Sequence, residues 1–381
     1  MTSLEDAAAT LGAETDRRWR ELDVAQRLPE DIYLQMAQAG ILRQLLPREV
    51  GGMGRSTIEW FDLGLELARY DGSLGWIATQ GNMGISHLHS LADRDFAREV
   101  IASADVRIAG TNTALGVIDV SGPRRTISGR WSFTSGCEGA DWIAVLGSPG
   151  GVPNRAEMRF VLLPVDRFEI ERDWDVVGLR GTGSHTVVAD TVPFDPAQSF
   201  DLAADPVVAD PARITTPAVC GAWAVGSSVA ATQLGIARRA LDETLAVVEQ
   251  RAPAPAFTPL LDNPAVQREL SRLEGRWRQA RAAVRESIED AWAVVADGGL
   301  PTMEQRRNLA ISNHLANDDA VTVVADCARL VGTSALRPEH PLARCQRDVL
   351  PLLGHLAANA QVLEFAEQVR QTGRPLAFPL V

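Results

Sequence analysis

The stretch from Pro264 to Gly298 has no internal proline and only one glycine, Gly275, and the stretch from Thr302 to Arg337 has no proline at all. Helices of that length exceed the mean globular helix severalfold and need partner helices along them to bury their apolar sides. Residues 214–381 are therefore expected to form a four-helix bundle, closed by a helical stretch from Asp348 to Arg370 that holds one proline, Pro351. Residues 1–104 read as shorter helices. Leu28-Pro29-Glu30-Asp31 has the proline and acids of a first turn, and Gly40 stands at a C-cap position. Ser56 with Glu59 forms a capping-box pattern for a helix to about Arg69, and another helix is expected from Gly72 to about Leu91. In residues 105–213 the period changes. Thr126 to Phe133 alternates polar and apolar, while Trp142–Leu146, Phe160–Leu163 and Thr186–Val192 are short runs between turn residues. They predict a small antiparallel sheet or barrel, left by way of Pro206, Pro211 and Pro217. The fold class is α+β, mostly α: helical domain, small β domain, helical bundle.

Charge narrows the partners. With 37 Lys and Arg against 49 Asp and Glu, the 381-residue chain carries −12. No Lys/Arg run offers the basic patch that nucleic acid or an anionic membrane requires. No apolar stretch approaches the ~20 residues of a membrane span. The acidic N-terminal segment lacks the apolar core of a signal peptide, so a cytoplasmic protein is expected. Cys137, Cys220, Cys327 and Cys345 are far apart with no histidine at ligand spacing, so neither a zinc site nor a disulfide framework is expected.

The usual nucleotide signatures are missing. Gly178-Leu179-Arg180-Gly181-Thr182-Gly183 is glycine-rich, but strand-like residues follow where a dinucleotide fingerprint needs a helix N-terminus. It reads as a tight turn. In Gly129 to Trp142 a strand ends at Phe133 and hydroxyls follow, at Thr134 and Ser135. Such hydroxyls suit a planar heteroaromatic cofactor, and equally suit the backbone of a turn.

Five segments in order resemble the acyl-CoA dehydrogenase superfamily, and within it the two-component, reduced-flavin-dependent (group D) monooxygenases. They are Ala68–Trp76, Gly129–Trp142, Val177–Ser184, Leu330–Leu336 and His340–Asp348 followed by His355. Two departures favour the monooxygenases. Dehydrogenases of the common type carry a glutamate base soon after the Arg-Asp pair, where this chain has Val349 to Ala357 without a carboxylate. Their Arg-x-x-Phe-Gly segment, which grips the flavin pyrophosphate, has only Arg251 and Phe257 as remnants here, at broken spacing.

The resemblance implies the following. The protein takes FMNH2 or FADH2 from a separate NAD(P)H:flavin reductase, uses O2 as co-substrate, and oxygenates a small aromatic or heteroatom-containing substrate through a flavin C4a-hydroperoxide. His355 is the general base or orients the oxygen. Ser135 lies near flavin N5. Phe133 and Thr134 line the ring, with Thr111 and Thr113 in a loop beside it. Gly332, Thr333 and Ser334, with Arg251, meet the distal flavin half or a phosphate. Asn82 and His87 face the substrate. If Asp348 to His355 is one helix, Asp348, Leu352 and His355 share a stripe. A homotetramer is implied, and no metal. The alternative is an FAD-dependent acyl-CoA desaturase with a displaced base. A non-catalytic scaffold is a third reading.

Overall fold

The computed structural model describes residues 3–86, 88, 94–154, 156–201, 225–250, 259–297 and 299–373. Short helices fill the described residues of the first third, and serine side chains cap two of them, at Ser3 and Ser56. The helices are α1 (Leu4–Arg17), α2 (Trp19–Ala25), α3 (Glu30–Gln38), α4 (Thr57–Tyr70), α5 (Gly72–Ser86) and α6 (Arg94–Ile101). The Ser56–Glu59 capping box is formed in both directions at the head of α4. The described part of α5 ends at Ser86, short of the expected Leu91.

Among the described residues seven strands make one sheet: β1 (Ile108–Asp119), β2 (Arg125–Trp131), β3 (Trp142–Pro149), β4 (Arg159–Pro164), β5 (Glu169–Glu171), β6 (Thr186–Phe194) and β7 (Ser199–Asp201). Their order is β5-β6-β2-β1-β3-β4-β7. Every pairing is antiparallel except β1 with β3, which is parallel, so the expectation of a purely antiparallel sheet is corrected. The apolar runs at β3 and β4 are explained by burial on both faces. Ile143, Val145, Val161 and Leu163 enter a core within the sheet, while Ala144, Leu146, Phe160 and Leu162 join the core shared with the helices. Residues Gly110 to Gly116 lie in β1 rather than in a loop, and the register with β3 shifts between Thr111 and Gly116.

The long helices are α7 (Val225–Gln250), α8 (Pro264–Ala296) and α9 (Met303–Val331). α8 starts with proline at its first position behind Asn263, whose side chain accepts from the Ala265 N–H. α7 is buried along most of its first half and packs on α4 and α9. Gly235 permits that approach, since a Cβ there would lie 2.3 Å from the Leu65 carbonyl oxygen of α4. The fourth long helix is divided into α10 (Pro341–Val349) and α11 (Gln361–Thr372). Pro351 starts a separate 3-10 turn, Pro351–Gly354, because its ring cannot continue the ladder of α10. Among the described residues no helix is long and apolar enough to cross a membrane.

Candidate active site

Trp76 of α5 is where the site is assembled. Its indole Nε1 donates to Ser135 Oγ at 2.9 Å. The same ring meets the His355 imidazole edge-on, with centroids 5.6 Å apart and planes at 75°. Ser135 comes from the β2–β3 loop and His355 from the loop after α10, so one side chain of α5 touches groups from the sheet and from the C-terminal elements.

The Ser135 loop is fixed through its backbone. Phe133 is in the left-handed region at φ 61°. The Thr134 N–H donates to the His185 carbonyl at 3.1 Å, and the Gly136 N–H to the Thr182 carbonyl at 2.8 Å. These bonds lay the loop against the turn Arg180–Thr182 and bring three hydroxyls into line. Ser135 Oγ is 2.7 Å from Ser184 Oγ, and Ser184 Oγ is 2.7 Å from Thr182 Oγ1. Thr182 Oγ1 donates to the Leu179 carbonyl at 2.8 Å. α10 holds this turn in turn: the Leu179 N–H donates to Asp348 Oδ1 at 2.7 Å. Asp348 is buried, and burial with the nearby Asp71 charge raises its carboxyl to about 7. Arg344, one turn before it, donates to Asp16 and to the Tyr70 carbonyl, tying α10 to α1 and α4.

The expected helical stripe through Asp348 and His355 does not exist, because α10 stops at Val349. His355 has extended backbone and caps a following turn. Its carbonyl accepts from the N–H groups of Ala358 and Asn359, and its Nδ1 accepts from the Ala357 N–H at 3.2 Å. His314 of α9 donates from Nδ1 to the Ala358 carbonyl at 2.8 Å and so supports that turn from below. Burial pushes the His355 imidazole down to about 4, so near neutral pH the ring is uncharged. With Nδ1 accepting, its one proton sits on Nε2. In this arrangement His355 offers an N–H at Nε2 and not a basic lone pair there.

The remaining candidates divide. Phe133 is 57% exposed and packs edge-on against Trp174 at 5.7 Å, leaving an open aromatic face beside Ser135. Thr134 is fully buried, and its hydroxyl donates to the Trp131 carbonyl, so it is turned inward and lines no ring. Thr111 and Thr113 direct their hydroxyls to the Ser132 carbonyl, at 3.0 and 2.7 Å. They therefore brace the strand end that carries Phe133, from within β1. Gly332, Thr333 and Ser334 form the 3-10 turn that ends α9, with open space around Gly332 and the Ser334 hydroxyl on the Val331 carbonyl. Asn82 is corrected to a packing residue. It is 1% exposed, its Nδ2 donates to the Ile41 and Ala78 carbonyls, and its Oδ1 accepts from the Gln44 N–H. His87 and Arg251, like Phe257 and Cys220, lie outside the described residues. Arg180 pairs with Asp175 and donates to the Asp23 carbonyl.

Trp76, Thr182 and Ser184 had no role assigned from sequence. All three lie within the segments that carry the resemblance. What the sequence did not show was that their polar atoms meet Ser135. The donor set fits a flavin: an exposed phenyl face, a partly open hydroxyl and an imidazole N–H are what a planar heteroaromatic with edge polar groups requires. On the Tyr33 and Ile77 side of the loop, the cavity at Gly136 and Thr182 measures only about 10 Å³, room for one water and not for a ring.

Comparison with known proteins bears on the same point. Residues 3–103 match the acyl-CoA dehydrogenase N-terminal domain, and residues 227–360 the acyl-CoA dehydrogenase C-terminal domain. The chain is 31% identical over 348 residues to an indole-3-acetate monooxygenase of Pseudomonas putida, covering 91% of this chain and 88% of that protein. It is 27% identical over 344 residues to the oxygenase subunit of a flavin-dependent monooxygenase, HsaA, of Rhodococcus jostii, covering 87% and 88%. The crystal structure of 3-HSA hydroxylase from Rhodococcus sp. RHA1 superposes with a TM-score of 0.89 at 23% identity, covering 100% of this chain and 99% of that one. Aligned over nearly its whole length with a relative of that name, the chain belongs to the flavin-dependent monooxygenase oxygenase components of the acyl-CoA dehydrogenase superfamily.

Proposed function

We propose that this oxygenase component receives reduced FMN or FAD from a separate NAD(P)H:flavin reductase and, with O2, inserts one oxygen atom into a small aromatic or heteroatom-bearing molecule. The names of the relatives support the aromatic class. The loop after Asp348 has no carboxylate to remove an α-proton, which weighs against the acyl-CoA desaturase alternative. We further place the enzyme in the cytoplasm, where reduced nicotinamide feeds a reductase, as a homotetramer with domains at 1–104, 105–213 and 214–381.

The single observation that carries this reading is Trp76, which touches Ser135 and His355 at once. When bound, the reduced flavin supplies the electrons and activates the oxygen. The chain supplies the rest. Phe133 gives the ring a flat wall. Ser135 accepts a hydrogen bond at the flavin edge nearest N5. His355 presents Nε2–H as a neutral donor to the reacting oxygen or the substrate heteroatom. Thr111 and Thr113 hold the strand end, and Gly332–Ser334 and Arg251 are left as candidates for the distal half of the flavin.

The test pairs the purified chain with an NAD(P)H:flavin reductase and a panel of indoles and phenols. At least one compound should gain the mass of one oxygen atom, with O2 uptake in step. Ser135→Ala should divert about tenfold more of the O2 consumed into hydrogen peroxide. If no compound is oxygenated under any flavin, the proposed reaction is wrong.

A further inference from the structure

The proton positions in the hydroxyl chain can be assigned from its fixed end. The Leu179 carbonyl has no proton, so across 2.8 Å the Thr182 hydroxyl must donate to it. Thr182 has no second proton, so the 2.7 Å contact with Ser184 requires Ser184 to donate. By the same count, Ser135 must donate across 2.7 Å to Ser184. On its other side Ser135 Oγ accepts from the Trp76 indole, which is a donor only. Its proton is thereby directed away from the site and one of its two lone pairs is filled. A single lone pair remains, and Ser135 meets a ligand as an acceptor only.

We propose that Ser184 and Thr182 are positioning residues that make the site selective for the redox state of the flavin. This rests on the placement of Ser135 beside N5 given above. Reduced isoalloxazine carries an N–H at N5, which matches the free lone pair. Oxidised isoalloxazine presents a lone pair there, and two acceptors face each other without a proton between them. An oxygenase that must take its flavin reduced and let it go oxidised has this preference built in by two hydroxyls, neither of which needs to touch the flavin. The backbone bonds from Thr134 and Gly136 hold the loop, so Ser135 keeps its place when the hydroxyls beyond it are removed.

The test is binding, not turnover. Flavin fluorescence and absorbance titrations give dissociation constants for oxidised FMN and FAD, and for the same flavins reduced with dithionite under argon. Wild type should favour the reduced form by about tenfold or more. In Ser184→Ala the Ser135 proton loses its acceptor and is released to face the ligand; in the near-isosteric Thr182→Val the Ser184 proton loses its acceptor and can turn onto Ser135 Oγ, which frees the Ser135 proton for the ligand. Oxidised flavin should then bind more tightly, and the ratio should fall toward unity. Ser184→Thr keeps a donating hydroxyl and should restore the wild-type ratio. Trp76→Phe removes the donor but not the acceptor of the Ser135 proton, and should leave reduced flavin the preferred form. A ratio unchanged in both Ser184→Ala and Thr182→Val, with circular dichroism showing both folded, overturns the proposal. So does equal binding of the two forms by wild type, which leaves the flavin site itself standing. Failure of wild type to bind either form would remove the flavin reading beneath it.

Discussion

His355 shows how much one side chain depends on where its backbone stops being helical. Extended at the end of a 3-10 turn, it turns Nδ1 onto the Ala357 N–H and leaves Nε2–H for the site. Its folded pKa of about 4 lies below the ordinary 6.5. Between those values the unfolded chain binds the extra proton, so stability contributed by the neutral ring is present above pH 6.5 and lost as pH falls toward 4. His355→Gln removes that term. Its stability relative to wild type should therefore improve by on the order of 1–2 kcal/mol between pH 7 and pH 5, read from urea unfolding at each pH. A pH-independent difference would mean that the imidazole is not held neutral by burial. Sequence pointed to His355 as a site residue, but read it on a helical stripe. Pro351 was the available signal against that stripe, since a proline two residues past the end of the nine-residue α10 leaves the ladder nothing to continue.

Among the elements, α10 does the most to set the site without entering it. Gly178 lies so close to it that a Cβ would fall 2.0 Å from the Arg347 carbonyl oxygen, a backbone atom that cannot swing aside. The Leu179 N–H to Asp348 bond follows immediately. Gly178→Ala should separate the turn from α10, lowering stability by about 2–4 kcal/mol in denaturant unfolding, with loss of flavin binding in the same variant. A folded Gly178→Ala protein of wild-type stability would contradict the close approach. The glycine-rich stretch from Gly178 to Gly183 was legible as a turn. Its partner was not, because no local pattern reveals that a turn in the sheet domain is held by a helix far along the chain. The strand β1 was missed for a related reason: Gly110 to Gly116 shows no alternation of apolar residues, and Gly110, Thr111 and Gly116 are strand residues through their pairing with β3.

For the molecule as a whole, apolar side chains are left uncovered on its C-terminal elements. Leu315 of α9, Leu336, Leu350, Leu356, and Leu363 of α11 are all exposed. Single exposed apolar residues are ordinary and a contiguous patch marks an interface; a tetramer would cover these leucines together. Light scattering behind size exclusion should show a tetramer at micromolar concentration, and Leu315→Glu with Leu363→Glu should shift it to smaller species while keeping its helical content. A wild-type monomer would remove the tetramer from the proposal.

The linear sequence determined what depends on neighbours along the chain: helix starts at Ser56, Asn263 and Thr302, strands whose apolar runs are buried on both faces, and the order helices, sheet, helices that carries the family. Tertiary structure alone decided that Trp76 would touch both Ser135 and His355, and which way the protons of Ser135, Ser184 and Thr182 would point. Hydrogen-bond polarity belongs to a closed network, fixed by a carbonyl at one end and an indole at the other, and those atoms become neighbours only when the chain has folded.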